Sequence, residues 1–396
     1  MDLRTVGDPL IGVPLAAHTK ERTGGYSSGG AYSHTMARWS PGETVVVLGA
    51  GATRGAEFVV SPRAGSTRSG CLPPLNADFF TQVQRITSRS HAATVTTLVK
   101  DAIEIYGANF DLTLEQYFTQ LEAMLLTARQ RPPSSVAPKF SVANLTAKRT
   151  LLLEALSAVL EESADVARGR SPARQDPCSF HARLVDALRA QETIISFNYD
   201  CVVDHALRTS GAGKWSARYG YCFPRPGNVV GDQVWSAPSA PAGFNKSINL
   251  LKLHGSLNWY PFPDDGDSPV RLRERPYKQR GQKLYEIVPP EYVKSTGAHP
   301  FFSRLWANAE LAIRKARTIA FIGFSFTPTD LDVEALFRLA LASNKVLKRV
   351  IIANPSRDHR RRIRTILSPA LEGGARVVQF DSFNDLAPFL QDVLTA

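Results

Sequence analysis

The stretch Thr44-Val45-Val46-Val47-Leu48-Gly49-Ala50-Gly51-Ala52 decides the fold of this chain. Its first five residues form a continuous β-branched and apolar run, which is typical of a strand buried on both faces of a parallel sheet. The run ends abruptly in Gly49-Ala50-Gly51, and a Gly-x-Gly turn after a strand brings backbone N–H groups close to a diphosphate. The same turn also serves purely structural purposes, so the motif alone leaves both interpretations open.

Four further short apolar runs have the same form, a strand that ends in small or polar residues. They lie at 193–197, 250–253, 318–322 and 349–352. Most of them lead into a helical pattern, and this alternation indicates a parallel α/β sheet. The sequence therefore predicts an α/β fold, a Rossmann-like parallel sheet flanked by helices. In such a sheet the ligand lies beyond the carboxyl ends of the strands.

The remaining patterns predict how the chain is organised around the sheet. Residues 1–40 are rich in Gly and Ser, which predicts a flexible N-terminal arm. Residues 41–396 contain all the strands and predict one domain. Helical periodicity between about 80 and 190 predicts a mainly helical insertion in it, whereas the Gly, Pro and Ser of residues 209–247 predict irregular loop.

The charge of the chain favours an anionic partner without identifying one. The 396 residues include 47 Lys and Arg against 36 Asp and Glu, a formal net charge of +11. Nucleic acid, anionic lipid and a phosphorylated ligand all fit this excess. Basic residues cluster at 271–283, interleaved with tyrosines, and at 357–364. Such clusters are commonly solvated faces, but the first also fits nucleic-acid binding, a lid or a docking loop.

The cysteines argue against a structural metal and a secreted protein. Cys71, Cys178, Cys201 and Cys222 are widely separated and form no Cys-x-x-Cys pair, so we expect no zinc ribbon and no metal. This pattern favours a reducing compartment. No apolar run reaches the roughly 18 residues needed to span a bilayer, and the first residues do not resemble a secretory leader. We therefore expect a cytoplasmic protein without a membrane partner.

Two polar residues at strand ends are the candidates for catalysis. Asn198 follows the strand that ends in Phe197, and His254 follows the strand that ends in Leu253. Taken singly, an asparagine here is more often a cap or turn former, and a histidine is more often a core residue. Their occurrence together with the glycine loop and with Gly323-Phe324-Ser325 favours a functional site.

These motifs together resemble the sirtuin-like NAD-consuming family, and within it the prokaryotic anti-phage defence branch. The resemblance rests on five ordered motifs: Gly49-Ala50-Gly51-Ala52-Thr53, 74–80, 196–200, 252–259, and 322–326 with Asp330. It covers about residues 43–390, although the helical insertion carries little of it. Thr53 stands where the family has serine, and it keeps the hydroxyl.

The resemblance implies cleavage of the bond between nicotinamide and ribose in NAD. By analogy, the Asn198 amide orients the ribose and an attacking water, and His254 acts as a general base or binds the ribose hydroxyls. Glycosidic cleavage passes through an oxocarbenium-like state, so such a site needs positioning groups more than a strong nucleophile. Nicotinamide leaves from a positively charged ring, so no general acid is required.

Further residues match the positions that hold the rest of NAD in the family. They are Gly49, Ala50, Gly51, Ala52, Thr53, Arg54, Asp200, Gly323, Phe324, Ser325 and Asn354. Two of them have a structural alternative: Arg54 as a solvated surface arginine, and Asp200 as the N-cap of the next helix. Asp330 fits the N-cap of a helix over 331–342 better than a ligand.

The absence of a zinc ribbon bears on which acceptor the resemblance implies. Deacylating sirtuins build one wall of the acyl-peptide groove from that ribbon, so water becomes the acceptor here. The expected activity is therefore that of an NAD glycohydrolase, giving nicotinamide and ADP-ribose. Two alternatives stay open: a catalytically silent nucleotide-fold module that binds nucleic acid or a partner protein, and a zinc-free deacylase.

The defence branch also implies a biological setting. There, NAD depletion follows phage sensing and causes abortive infection. It is gated by homo-oligomerisation or by a partner such as a HerA-type ATPase or a short Argonaute. The helical insertion at 80–190 is a place for self-association, although apolar stripes of this kind more often form core.

Overall fold

The computed structural model describes nine parts of the chain: residues 39–61, 70–132, 135–164, 178–223, 225–260, 270–274, 286–287, 300–327 and 330–395. The chain divides into two units, Met1–Arg38 and Trp39–Ala396, and only the second contains described residues. The predicted arm at 1–40 therefore lies outside the described residues, apart from its last two positions. The same holds for most of the basic cluster at 271–283.

The described residues contain ten strands. They are β1 (Thr44–Leu48), β2 (Thr193–Ser196), β3 (Val229–Val230), β4 (Asn249–Lys252), β5 (Gly255–Ser256), β6 (Val270–Arg271), β7 (Glu286–Ile287), β8 (Thr318–Ile322), β9 (Arg349–Ala353) and β10 (Arg376–Phe380). Six of them form one parallel sheet in the order β10-β9-β8-β1-β2-β4. The predicted α/β fold with a parallel sheet is confirmed, and the five predicted strands all belong to this sheet.

The sixth strand, β10, was not predicted. It lies at one edge of the sheet, and its side chains are only partly buried or exposed. By contrast, every residue of β1 and β8 is buried, as expected for central strands of a sheet covered on both faces. Unlike β4 at the opposite edge, whose four residues are all buried, β10 lacks the continuous apolar run by which the other five strands are recognised.

The described helices are α1 (Ala50–Arg54), α2 (Glu57–Val60), α3 (Phe79–Gln84), α4 (Ala92–Tyr106), α5 (Leu114–Arg129), α6 (Val142–Ser163), α7 (Ser179–Ala187), α8 (Val202–Ser210), α9 (Ala217–Gly220), α10 (Asp232–Trp235), α11 (Pro300–Lys315), α12 (Leu331–Ala342), α13 (Arg357–Ile366), α14 (Ser368–Glu372), α15 (Phe383–Leu386) and α16 (Leu390–Thr395). The helix predicted over 331–342 is α12, and Asp330 is its N-cap. None of the described helices is both long and apolar enough to span a bilayer.

Helices α4, α5 and α6 fall within the predicted insertion and pack on one another. Tyr117 and Leu121 of α5 are fully buried, as are Leu152 and Val159 of α6. The rings of Tyr117 and Phe80 meet edge to face at 5.3 Å. The apolar faces of these helices therefore contribute to the core of the chain itself.

The segment from 209 to 260, called the aromatic segment below, is more ordered than the irregular loop that was predicted for its residues 209–247. It contains α9 and α10, and its core is aromatic: Trp215, Trp235 and Trp259 are fully buried. The Trp215 indole N–H donates to Trp235 O at 2.7 Å, and the Trp235 indole N–H donates to Arg273 O at 2.7 Å. The Gly, Pro and Ser residues shape the loops, whereas the dispersed tryptophans hold the segment together.

The order of the strands places a topological switch between β1 and β8. From β1 the chain moves outward through β2 and β4, and it later builds β8, β9 and β10 on the other side of β1. The connections that leave β1 and β8 therefore diverge at the carboxyl edge of the sheet. Ligands of open α/β sheets bind in the crevice at such a point.

The loops that follow β1 and β8 touch through backbone atoms at this switch. The Gly51 N–H donates to Gly323 O at 2.9 Å, and the Gly49 N–H donates to Ile322 O at 3.2 Å. Gly323 has a positive φ of 56°, and a Cβ built there would lie 2.0 Å from Ala52 N. Only glycine fits at this position, because any side chain would overlap with the opposite backbone.

Gly323→Ala should destabilise the protein far more than an alanine at an open left-handed position. Gly213 is the matched control, because its φ is 71° and a Cβ there meets nothing within 4 Å. We expect Gly213→Ala to lower the free energy of unfolding by about 1–2 kcal/mol, the cost of the left-handed backbone alone. For Gly323→Ala we expect a loss of more than about 3 kcal/mol. Urea unfolding followed by circular dichroism measures both, and equal losses would contradict the close contact.

Candidate active site

The carboxyl ends of β1, β2, β4 and β8 bring the predicted catalytic residues to one edge of the sheet. The pairing continues past the strands, since the Phe197 N–H donates to Leu48 O at 3.0 Å and the Leu253 N–H donates to Ser196 O at 3.1 Å. The residues that follow these strands are therefore neighbours in space. They include both Asn198 and the histidine that follows Leu253.

The side-chain amide of Asn198 is fixed by two hydrogen bonds. Its Nδ2 donates to Gly49 O at 3.0 Å and to the Thr53 hydroxyl at 3.2 Å, and the residue is 8% exposed. A main-chain carbonyl only accepts, so the nitrogen must face Gly49 and the orientation of the amide follows from the network. Both Nδ2 hydrogens are thereby used. No hydrogen bond among the described residues uses Oδ1, which is the group left for a ligand.

Thr53 and Asp200 hold this amide in place. The Thr53 hydroxyl donates to Asp200 Oδ2 at 2.8 Å, which leaves its oxygen as the acceptor for Asn198. Asp200 Oδ1 accepts the Val202 N–H at 3.0 Å, at the first residue of α8. Burial raises the pKa of the Asp200 carboxyl, while Lys252 and these two donors act in the opposite direction. Asp200 therefore supports both the start of α8 and the orientation of Thr53.

A buried ion pair lies behind Asp200. Lys252 is fully buried, and its Nζ donates to Asp200 O and, at 3.0 Å, to Asp204 Oδ2. The Tyr221 hydroxyl donates to the other oxygen of Asp204 and accepts from Asn258 Nδ2 at 3.0 Å. Burial alone would lower the pKa of Lys252, but its acidic neighbours, above all Asp204, raise it. The ammonium form is therefore the stable one.

His254 lies against the two residues that flank Asn198 in the sequence. Its ring meets Phe197 edge to face at 5.1 Å and stacks with Tyr199 at 6.2 Å, measured between ring centroids. His254 is 7% exposed. The structure thus brings the two predicted catalytic residues to the same place.

The sequence predicted that backbone N–H groups of the glycine loop would bind a diphosphate, but three of them bind main-chain carbonyls of the protein. The N–H groups of Gly49, Gly51 and Ala52 all donate to main-chain carbonyls of the protein, at 3.2, 2.9 and 2.8 Å. Helix α1 has only five residues, and Ala50 at its start is exposed. In this conformation the two glycines serve the contact with the loop after β8.

Arg54 was interpreted from the sequence either as a contact of the diphosphate or as a solvated surface residue, and neither interpretation included its contacts within the protein. Its Nε donates to Pro73 O at 2.6 Å, and its guanidinium forms an ion pair with Asp78. Asp78 also accepts the Leu75 N–H at 2.8 Å. Arg54 thereby fastens the motif at 74–80 to the glycine loop.

The turns after β8 and β9 are joined by Asn354. Its Nδ2 donates to Phe324 O at 2.9 Å, and its Oδ1 accepts the Ser356 N–H at 2.9 Å. The ring of Phe324 lies 5.0 Å from that of Phe197, which connects this turn to the exit of β2. Ser325 is partly exposed beside it. The predicted cofactor-binding residues of both turns therefore lie at the same edge as Asn198.

A cavity of about 450 Å³ lies at the opposite, amino-terminal edge of the sheet. It is lined by Pro41, Gly42, Glu43, Arg314, Lys315, Arg317, Ser343, Lys345 and Val346. None of the motifs at the strand ends contributes to its lining. This cavity is therefore separate from the candidate active site.

The second basic cluster, at 357–364, lies on α13 and is partly engaged within the protein. Arg360 pairs with Asp381 at 2.8 Å, and Arg362 pairs with Glu334 at 2.9 Å. The side chain of Arg361 is 81% exposed. Only part of this cluster is therefore available to an anionic partner.

Comparison with known proteins agrees with this arrangement. Residues 192–368 match the family described as the SIR2-like domain. The matched region contains Asn198, His254, Gly323 and Asn354, although it begins after the glycine loop. The match identifies a SIR2-like region that covers less than half of the chain.

The chain also matches solved structures, among them one titled "Structural Basis for the Mechanism and Regulation of Sir2 Enzymes". The identity is 12%, the TM-score is 0.33, and the alignment covers 69% of this chain and 88% of that chain. No curated protein matches this chain. The likeness to SIR2 proteins therefore rests on the region 192–368.

No group of three or more His, Cys, Asp or Glu side chains in the described parts of the chain has an arrangement that could hold a metal ion. The four cysteines are buried and form no disulfide. Cys222 lies in the aromatic segment, where its Sγ donates to Gly220 O at 3.5 Å. This cysteine is thus part of the packing of that segment.

Replacing Thr53 tests whether its hydroxyl links Asn198 to Asp200. Thr53→Val leaves both groups without this buried partner, so we expect the free energy of unfolding to fall by about 1–3 kcal/mol. Thr53→Ser keeps the hydroxyl and serves as the matched control, with a loss below about 1 kcal/mol. Urea unfolding measures both values. Because valine keeps the methyl group and lacks only the hydroxyl, an undiminished stability of Thr53→Val would contradict the proposed link.

His205 on α8 should make the protein less stable in mild acid. Its ring is buried against Trp235, and neither ring nitrogen has a hydrogen-bond partner among the described residues. Burial, with help from Arg208 and Lys252, lowers its pKa to about 3, from 6.5. Below pH 6.5 the histidine is protonated in the unfolded chain but stays neutral in the folded chain. The free energy of unfolding therefore decreases as the pH falls from 6.5 towards 3.

The variant His205→Phe keeps a ring against Trp235 and removes this titration. Relative to the wild type, we expect it to gain stability by up to about 1.4 kcal/mol for each pH unit below 6.5. Urea unfolding at several pH values between 7 and 4.5 measures the difference. Parallel curves for the two proteins would show that His205 is able to ionise in the folded state.

Proposed function

We propose that this protein is an NAD glycohydrolase, which cleaves NAD to nicotinamide and ADP-ribose. One observation carries the proposal: the Asn198 amide is held with only its oxygen available, beside His254 at the carboxyl edge of the sheet. The SIR2-like region supports NAD as the substrate class. Asn198 and His254 are the proposed catalytic residues.

The roles of these two residues follow from their chemistry. Cleavage of the nicotinamide–ribose bond builds positive charge on the ribose, and nicotinamide departs as a neutral base. The Asn198 oxygen is a hydrogen-bond acceptor, so it orients a ribose hydroxyl or the attacking water. His254 accepts a proton from that water or binds the hydroxyls, as a neutral imidazole is able to do. Both residues act by positioning, which suits a reaction whose leaving group needs no protonation.

The rest of NAD is proposed to occupy the crevice at the switch between β1 and β8. The proposed contacts are Gly49, Ala50, Gly51, Ala52, Thr53, Arg54, Gly323, Phe324, Ser325 and Asn354, while Asp200 is proposed to contribute indirectly, through Thr53. The exposed backbone at Ala50 and the partly exposed Ser325 are the most accessible of these. Because Gly323 has no side chain, the loops after β1 and β8 are able to come into contact. A bound diphosphate is supported by the position of the crevice at a strand-order switch.

Hydrolysis is favoured over deacylation by the segment between 209 and 260. In deacylating sirtuins the corresponding wall of the acyl-peptide groove is a zinc ribbon. Here the segment is held by its own buried tryptophans and by the hydrogen bonds of their indoles. The different construction of this wall supports water as the acceptor. We propose no metal for it.

We further propose that the activity serves anti-phage defence, as the resemblance of the motifs implies. In that setting the enzyme depletes NAD after a trigger, as a homo-oligomer or with a partner such as a HerA-type ATPase or a short Argonaute. The exposed Arg361 on α13 is one point at which an anionic partner would bind. A catalytically silent module that binds nucleic acid or a protein is the competing hypothesis.

Release of nicotinamide from NAD tests the proposal directly. Purified protein is incubated with NAD, alone and with nucleic acid or a candidate ATPase, and nicotinamide is followed by liquid chromatography. We expect Asn198→Ala and His254→Ala each to lower the rate by about 100-fold or more. Asn344→Ala is the matched control, since Asn344 is 9% exposed and its Nδ2 donates to two carbonyls at the other edge of the sheet.

Three outcomes would contradict the proposal in different ways. Intact NAD under every trigger would favour the silent module. Undiminished cleavage by Asn198→Ala or His254→Ala would refute the proposed mechanism. Release of O-acyl-ADP-ribose from an acylated peptide would identify a deacylase.

A further inference from the structure

Lys252 is a buried charge that the proposed mechanism does not use. It is the last residue of β4, it pairs in register with Ser196 of β2, and its side chain is fully buried. Taking a lysine and an aspartate out of water is costly, and an apolar pair of similar size would be equally stable or more so. The pair with Asp204 is therefore poorly explained by stability alone. Its directional bonds offer another explanation.

The ammonium of Lys252 links the two strand exits that carry the proposed catalytic residues. His254 follows Lys252 by two positions along the chain. Its Nζ donates to the main-chain oxygen of Asp200, which lies two residues after Asn198. The second acceptor, Asp204 Oδ2 at 3.0 Å, is on α8 and fixes the direction of the ammonium. Lys252 therefore sets the distance between the exits of β2 and β4.

A continuous set of hydrogen bonds runs from this point to the Asn198 amide. The backbone of Asp200, held by Lys252, places its carboxylate against the Thr53 hydroxyl at 2.8 Å. The oxygen of Thr53 accepts from Asn198 Nδ2 at 3.2 Å. A shift of Asp200 would move Thr53 and thereby turn the amide. The direction of Asn198 Oδ1 thus depends on an ammonium that is remote from it.

Asp204 is itself held from the far side. Its Oδ1 accepts from the hydroxyl of Tyr221, a fully buried residue of the aromatic segment, and Asn258 Nδ2 donates to that hydroxyl at 3.0 Å. Both carboxylate oxygens are thus used. The aromatic segment thereby becomes the rigid support to which the polar chain is attached.

We propose that Lys252 and Asp204 are positioning residues for the reaction at Asn198 and His254. They act through Asp200 and Thr53, and neither touches the substrate. The inference rests on the proposed function for its kinetic consequence, but the geometric link to the Asn198 amide is independent of any activity.

The kinetic test uses a variant that leaves no unpaired buried charge. Lys252→Met/Asp204→Asn removes both charges together, so the fold is expected to persist. We expect kcat for NAD cleavage to fall by about 10- to 100-fold with KM changed less than about threefold, because the loss is one of alignment. Lys214→Met is the matched control. Its ammonium also binds three main-chain carbonyls, at 2.8, 3.0 and 2.9 Å, but near the amino edge of the sheet.

A double-mutant cycle tests the route of the effect. One arm of the cycle is the paired change Lys252→Met/Asp204→Asn, because Asp204→Asn alone would leave the Lys252 ammonium buried without its partner, and the other arm is Thr53→Val. If the pair acts through Thr53, the paired change lowers kcat by less than about threefold in the Thr53→Val background, although it lowers kcat clearly in the wild type. Independent effects that simply multiply would overturn this route. A kcat of the double variant equal to that of Lys214→Met would overturn the inference as a whole.

A spectroscopic readout separates this inference from the proposed function. In asparagine-labelled protein, the side-chain amide signal of Asn198 is assigned by its loss in Asn198→Ala. We expect Lys252→Met/Asp204→Asn to shift this signal and to speed its exchange with water at least about tenfold, whereas Lys214→Met leaves it unchanged. An unchanged signal would overturn the inference even if NAD is cleaved. A shifted signal in a protein that never cleaves NAD would refute only the proposed function.

Discussion

The backbone contact between the loops after β1 and β8 is the constraint on which the site depends. Gly51 and Gly323 meet through an N–H to oxygen bond of 2.9 Å, with no room for a side chain at 323. This contact fixes the path of α1, and α1 carries Thr53 towards the exit of β2. Only with Thr53 at that place does the Asn198 amide find both of its acceptors. The close contact of these two glycines therefore determines, through Thr53, the orientation of the Asn198 amide.

The polar network behind the site is satisfied at almost every position. Each hydrogen-bonding group from Tyr221 through Asp204 and Lys252 to Asp200 and Thr53 has a described partner. A satisfied buried network is rigid, because each member loses a partner if any one moves. Among the described residues, the acceptor left over at the active-site end of the network is Asn198 Oδ1, and the one left over at the opposite end is Asn258 Oδ1. The same network explains why a threonine serves where the resembled family has serine, since the hydroxyl carries the contacts.

The sequence predicted those parts of the fold and site that depend on local pattern. Five strands of the sheet were recognisable because each contains a continuous apolar run, and Asn198 and His254 became candidates because they follow such runs. The strand β10 and residues 209–247 of the aromatic segment lack a run of this kind. The ion pair of Lys252 with Asp204 and that of Arg54 with Asp78 join residues 48 and 24 positions apart. Contacts of this kind follow from the folded chain and not from spacing.

The burial of Asp200 bears on how that residue contributes to the site. The resemblance implied that Asp200 helps to hold NAD, and an N-cap of the next helix was the alternative. Asp200 is 4% exposed, and its two carboxylate oxygens already accept from Thr53 and Val202. A ribose hydroxyl would therefore have to displace one of these donors to reach it, and loss of the Thr53 bond would release the Asn198 amide. The structure therefore favours an indirect contribution of Asp200 through Thr53 over direct binding, because the indirect contribution keeps the Asn198 amide aligned while the substrate is bound.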